Sequence, residues 1–331
     1  MIYPFNLWGQ PLRQIECAEL DGATLVFAAG GPPGAEVRVY DVRDGDVRAE
    51  YGIGSWTHFQ QRPHRVVRGA GGPVLAIGID NHGEPEPGLG GHFVRLLDPL
   101  TGVPAGPSLP SPDVVIGLAR FTEHGRDILV VADADGGFSQ FDPQTGQAVR
   151  PRVGGGHRTE SAAVATVADG RTLAVAGTFD GSLTVWDLAA GRPLWTDDTS
   201  EEFAFAVAFG SVGPAAFLAV ARSSKHVELR DALTGVPVAE PFPLDPDYPP
   251  RLGFGEIGGA AVLYVGSGER FDCVDPATGR RLRPTREWPD EIAVMQAAVV
   301  DGRPVLFVVD DYVMCELDAE TGEVLVGWTD R

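Results

Sequence analysis

The pentapeptide Asp-x-x-Thr-Gly, or a near variant, recurs seven times along this chain, at 41–45, 98–102, 142–146, 187–191, 231–235, 275–279 and 318–322. Successive aspartates stand 57, 44, 45, 44, 44 and 43 residues apart. In a chain with 43 glycines so short a match means little by itself, and the constancy of the step carries the signal. A period in the forties, with several strand-like runs per unit, marks a radial β-repeat in which each unit needs its neighbours to bury its apolar faces. The repeat therefore predicts an all-β chain, a single seven-bladed β-propeller of four-stranded antiparallel blades spanning residues 1–331.

The fourth unit shows the plan of a blade. An apolar, alternating run from Ala162 to Val167 ends at Asp169-Gly170, and a second run covers Thr172 to Ala176. A turn at Phe179-Asp180-Gly181 leads to Leu183-Thr184-Val185-Trp186, then to the motif turn opened by Asp187 and to Arg192-Pro193-Leu194-Trp195. Four short runs separated by Asp-Gly turns read as a meander, because glycine takes the positive φ of a tight hairpin and aspartate bonds the amides of its own turn. Second strands recur at Thr24–Ala28, Val74–Ile77, Ile128–Val131, Phe217–Val220, Val262–Val265 and Val305–Val309. Each is an unbroken apolar run, as a strand covered on both faces requires.

The order of Gly156-His157, Thr178, Asp180-Gly181 and Trp186-Asp187 resembles the WD40 family, with thirty residues between His157 and Asp187. That resemblance implies a structural hydrogen-bond network of His157, Thr178, Asp180 and Trp186 that pins the blade. It also implies a rigid disc that presents loops to partners and does no chemistry of its own. The other units carry Tyr40, Leu97, Phe141, Arg230, Val274 and Leu317 at the Trp186 position, so the network does not transfer to them. Asp-x-x-Thr-Gly followed by a strand and a tryptophan is similar to the repeats of quinoprotein-type propellers, and Asp187 with Trp195 fits that spacing once. Two segments compete to complete the ring, Glu323–Trp328 at one end and Phe5–Pro11 at the other.

Composition narrows the function. With 26 basic and 46 acidic residues the net charge is −20, which repels phosphate backbones and anionic membranes and counts against both as partners. Cys17, Cys273 and Cys315 form no Cys-x-x-Cys pair, and an odd, scattered set predicts free thiols in a reducing compartment. The first residues lack a basic, apolar and small-residue leader pattern, so a cytoplasmic location is expected. The charge-free stretch 203–221 is long enough for a membrane span, but Gly210 to Pro214 divides it into two runs of strand length, read here as a buried hairpin.

Chemistry is expected on the loops around the central channel. Two are enlarged, 51–64 and 80–92, and together they account for the long first step. Loop aromatics and histidines there and on comparable loops supply the candidate binding residues: Trp56, His58, Phe59, His82, Trp288 and Tyr312. Asp80, His82, Glu84, Glu86 and His92 are metal-ligand types without a recognised spacing, so no metal site is assigned. Asp133-Ala134-Asp135-Gly136-Gly137 is read as a hairpin turn and not as a cation loop. Asp197-Asp198, Glu201-Glu202, Asp245 with Asp247, Asp290-Glu291 and Asp310-Asp311 are expected to make one end of the disc negative. No nucleophile elbow, metalloprotease helix or phosphate loop is present, so no catalytic residue and no cofactor are assigned. The reading is a non-catalytic scaffold for a protein or a basic peptide, with a small molecule also possible. The alternative is an enzyme or a ligand or metal binder at the channel mouth, built on the two enlarged loops.

Overall fold

The computed structural model describes residues 14–30, 36–53, 63–80, 91–244, 250–310 and 314–328. They form seven sheets of four antiparallel strands, each sheet from one contiguous stretch: 15–52, 64–110, 115–154, 159–197, 204–243, 251–287 and 294–328. Within each sheet the strands lie in sequence order, so every blade is a meander, and no helix occurs among the described residues. The first strands stand side by side around the axis, and those of blades one and seven also meet, which closes the ring. The expected seven-bladed propeller is the observed fold.

Blade four explains why the second strands are apolar without interruption. Thr172–Thr178 pairs with Thr159–Thr166 on one side and Leu183–Asp187 on the other, placing Ala163, Val175, Val185 and Trp195 in one row across the sheet. Leu173 and Val175 pack toward blade five, while Ala174 and Ala176 pack toward blade three. Alternation along the strand thus sends side chains into two different cores, and neither face reaches water. The same division gives seven apolar clusters, one at each seam between neighbouring blades. The stretch 203–221 supplies the first two strands of blade five, Ala204–Val212 and Ala215–Arg222. The second is buried as expected, and the first lines the channel.

The last blade is completed by its own end, since Val324–Trp328 pairs with Met314–Asp318. Blade one is likewise complete within 15–52, and Phe5–Pro11 lies outside the described residues. Among the described residues the closing seam is held by side chains. Ile15, Val26 and Tyr40 of blade one pack against Phe307, Val309 and Met314 of blade seven, and Arg43 pairs with Asp301 at 3.1 Å on the rim.

All seven motif turns share one geometry. The glycine amide donates to the aspartate carbonyl at 2.7–2.9 Å, and the glycine φ lies between 64° and 76°. In each turn the aspartate Oδ1 accepts one or two amides two or three residues on. These donors favour the ionised form: the Thr101 hydroxyl holds the Asp98 carboxyl below its usual range, and the Thr321 amide does the same for Asp318.

The motif also joins blades. Tyr51 Oη donates to the carbonyl of Pro99 at 3.1 Å, Trp195 Nε1 to that of Ala232 at 2.9 Å, and Arg283 Nη2 to that of Ala319. Each acceptor directly follows the motif aspartate of the next blade, and each donor lies over that motif's glycine (Gly102, Gly235 and Gly322 in turn). In blades two, five and six the fourth strand shrinks to two residues, Leu109–Pro110, Phe242–Pro243 and Arg286–Glu287. Prolines flank these short pieces and donate no ladder bond, so they stop pairing at the outer edge.

Two predictions follow from the turns. Gly170→Ala, at φ 85° in open space, is expected to cost only the left-handed backbone penalty of about 1–2 kcal/mol. Gly235→Ala meets the Trp195 ring at 2.9 Å as well, so urea unfolding should show an additional loss of about 1–3 kcal/mol; equal losses would show that the seam contact is loose. The folded pKa values of Asp98 and Asp318 are lowered, so the unfolded chain binds more protons in acid. Their stabilisation is complete above the usual carboxylate pKa of about 4 and is lost as pH falls through the lowered folded values. Chemical denaturation across that window should be flatter in Asp98→Asn than in the unmodified chain.

Candidate functional site

A meander places its connections on two faces. The turns between first and second strands, and the seven motif turns, open on one face of the disc. The turns between second and third strands, and the connections between blades, open on the other, called here the entry face. The two enlarged loops leave from this entry face, one between Gly52 and His64 and one between Asp80 and His92.

Where six of the seven second strands reach the entry face they end on a buried polar residue: Asp80, Asp133, Thr178, Arg222, Ser267 and Asp310. The backbone turns there, and each side chain satisfies the turn or ties one strand to another. His92 Nδ1 is 3.0 Å from Asp80 Oδ1. Arg152 forks onto Asp133 at 2.8 and 2.9 Å and also reaches Asp135, whose carboxyl it holds below the usual range. The turn expected at Asp133–Gly137 is therefore a charge-paired hairpin. Arg222 is only 1% exposed. It donates to the carbonyls of Gly181 and Glu202 and pairs with Glu228, linking blades four and five. Burial alone raises the Glu228 carboxyl, but Arg222 and Arg230 outweigh it and leave a lowered value. Arg230 sits in the tryptophan position of its repeat because its guanidinium pairs with Asp197 across the seam at 2.8 Å.

In blade four, His157 Nδ1 meets Asp180 Oδ2 at 2.8 Å and the Thr178 hydroxyl donates to Asp180 Oδ1 at 2.7 Å. The Ser182 and Thr178 hydroxyls hold the Asp180 carboxyl well below the usual range. The Trp186 ring packs in the seam toward blade three and makes no hydrogen bond to these three residues. Beside this cluster lies a feature that sequence reasoning missed. Phe179 stacks on Phe203 with centroids 4.3 Å apart, and Phe205 meets Phe203 edge-on at 4.4 Å. Arg158 covers the Phe179 ring at 5.2 Å. Phe179 and Phe205 are 40% and 42% exposed, so the trio is an apolar surface beside the channel and not a core. Its only sequence signal is a phenylalanine in a turn and a Phe-x-Phe pair entering an inner strand. Asp180, next to Phe179 in sequence, and Asp198 and Glu201, on the connection that leads to Phe203, are exposed.

Among the candidate binding residues, Trp56, His58, Phe59, His82 and Tyr312 lie outside the described residues. Trp288 lies within them and is no surface anchor. It is 7% exposed, packs against Phe271 in the seam between blades six and seven, and donates Nε1 to Asp310 at 2.9 Å. The residue lies just beyond a two-residue outer strand, and the chain turns inward there to begin the next blade. Of the acidic pairs, Asp197-Asp198, Glu201-Glu202 and Asp290-Glu291 fall on the entry face as expected, while Asp310 is buried. The central channel encloses about 420 Å³ between small side chains of the inner strands. Its charged wall residues are neutralised or bonded, Arg65 by Glu16 at 2.6 Å and Arg251 by the Ala293 carbonyl. Among the described residues no three His, Cys, Asp or Glu side chains converge to hold a metal ion.

Seven blades built on Asp-x-x-Thr-Gly turns, with Trp195 docked on the following repeat, define a β-propeller of quinoprotein-type repeats. The chain belongs to the family described as outer membrane protein assembly factor BamB, whose model matches residues 125–329. Among solved structures, BBS1N in complex with ARL6DN has a similar fold, with a TM-score of 0.70 over 97% of each chain at 12% identity. No curated protein sequence matches significantly.

Because Trp288 fills a seam, Trp288→Ala should destabilise the fold by about 3–5 kcal/mol, read as a lowered thermal midpoint. Trp288→Phe keeps most of the packing and loses the indole donor, and should cost less. A Trp288→Ala chain as stable as the parent would put the residue back on the surface.

Proposed function

We propose that this chain is a non-catalytic scaffold that binds a protein partner through an extended basic peptide laid across the entry face. The observation that carries this reading is the stacked trio Phe179, Phe203 and Phe205, two of them exposed, with exposed Asp180, Asp198 and Glu201 on the same turn and connection. Aromatic side chains concentrate binding energy when a partner excludes water from them. These carboxylates, one of them held ionised by three neighbours, favour cationic side chains and repel acidic ones. A net charge of −20 adds long-range attraction for such a partner.

The comparisons support a partner-binding role. The family is described by an assembly factor, and the similar fold of BBS1N was solved with ARL6DN bound. The blade-four residues that carry the WD40 likeness, His157, Thr178 and Asp180, brace the turn from which Phe179 projects. The scaffold is assigned to the cytoplasm, where the free thiols of Cys17, Cys273 and Cys315 stay reduced.

A tiled array of peptides that place Arg or Lys beside an apolar residue tests the proposal, with fluorescence polarisation on the best binders. Replacing Phe179 and Phe205 together by Ser should weaken binding by at least about tenfold while the thermal midpoint stays put. Raised salt should weaken it further. Unchanged affinity in that double variant, or a preference for acidic peptides, would sink the reading.

A further inference from the structure

Away from the entry face, on the outer flank between blades six and seven, we propose a binding site for a small organic oxyanion: a carboxylate or phosphate ester on an apolar body. A groove of about 460 Å³ opens there, lined among others by Phe271, Cys273, Arg283, Arg286, Gly322 and Glu287, whose carboxylate pairs with Arg270 at 3.6 Å. Its size lies within the range of small-ligand sites. Phe271 and Cys273 are buried and form an apolar floor.

The charge arrangement points to the ligand. Arg283 and Arg286 bring their Nη1 atoms to within 2.9 and 3.5 Å of one point, the position a first side-chain carbon would take at Gly322. Two guanidiniums sharing one point repel each other unless an anion stands between or beside them. The carboxylates nearby are engaged elsewhere. Asp272 binds Arg281 at 2.8 Å and Thr285 at 2.6 Å, Glu287 pairs with Arg270 at 3.6 Å, and Asp318 accepts the amides of Glu320 and Thr321. Among the described residues, no carboxylate lies within 4.0 Å of Arg283 or Arg286. Other arginines of the chain are paired. Arg48, Arg65, Arg150, Arg152, Arg171 and Arg230 each hold a carboxylate at 2.5–2.8 Å, in a protein with 46 acidic residues against 26 basic ones.

Arg283 is also aimed in advance. Its Nη2 is fixed on the Ala319 carbonyl, which leaves Nη1 directed over Gly322, and Arg286 rests on the Trp288 ring at 5.9 Å. A side chain at Gly322 would meet Arg283 Nη1 at 2.9 Å, so the glycine is what lets the two guanidiniums stand together over the turn. Planar guanidiniums present forked donors that match the oxygens of a carboxylate or phosphate, and their fixed positions lower the cost of binding.

Isothermal titration of the full chain with phenyl phosphate, benzoate and inorganic phosphate tests the site. One of the two aromatic anions should bind at millimolar concentration or below and more tightly than inorganic phosphate, and which of them binds identifies the oxyanion head. Arg286→Gln, which removes a side chain that makes no hydrogen bond among the described residues, should weaken that binding about tenfold. Arg286→Lys, which keeps the charge and loses the fork, should fall between, and it supplies the same readout if the glutamine variant melts early. The proposal is overturned if no probe binds, if binding is the same in both variants and the parent, or if inorganic phosphate binds as tightly as the aromatic anions.

Discussion

Every blade of this protein has a second strand with apolar side chains on both faces, and no single sheet can keep both from water. That demand governs the architecture. Leu173 and Val175 must be covered by one neighbour while Ala174 and Ala176 are covered by another. A row of such sheets stays exposed at its two ends until it closes on itself. At about 25 cal/mol per Å² of apolar surface buried, the seams outweigh any single polar contact in the molecule. The polar residues at the strand ends therefore act within a frame set by burial. They satisfy turns, as Thr178 and Asp180 do, or tie neighbouring blades, as Arg222 does.

The parts of the fold that were legible in the sequence are the ones whose physics is local. An aspartate that bonds the amides of its own turn and a glycine at positive φ work within five residues, so the motif repeats in the letters as it does in space. The second strands were legible for a similar reason, since burial on both faces leaves no polar residue in the run. What depends on the next blade was harder to read. Trp288 looked like a loop aromatic because nothing near it in sequence reveals that Phe271 and Asp310 enclose it. Nothing in the sequence around Arg222 reveals its burial either, although it heads the fully buried side chains among the described residues. The Phe179, Phe203 and Phe205 surface joins a turn of one blade to the start of the next.

Chemical substitution at a constant geometry hid the repeat type. Trp195 fits the quinoprotein-type spacing once, and the other blades carry no tryptophan at that place. Tyr51 and Arg283 make the same bond to the same backbone position with a hydroxyl and a guanidinium. A donor long enough to reach the next carbonyl is the requirement, and identity at the position is not. Arg283 shows what such a change allows, because a guanidinium keeps a second nitrogen for other contacts where an indole has none.

Because each blade is cut from one uninterrupted stretch, the seam between blades seven and one is of the same kind as the other six. Among the described residues no strand is borrowed across it, and Arg43 with Asp301 ties its rim. With respect to the described sheets, no seam is singled out from the others. A ring opened at any one of the seven seams would keep all twenty-eight described strands paired as they are now.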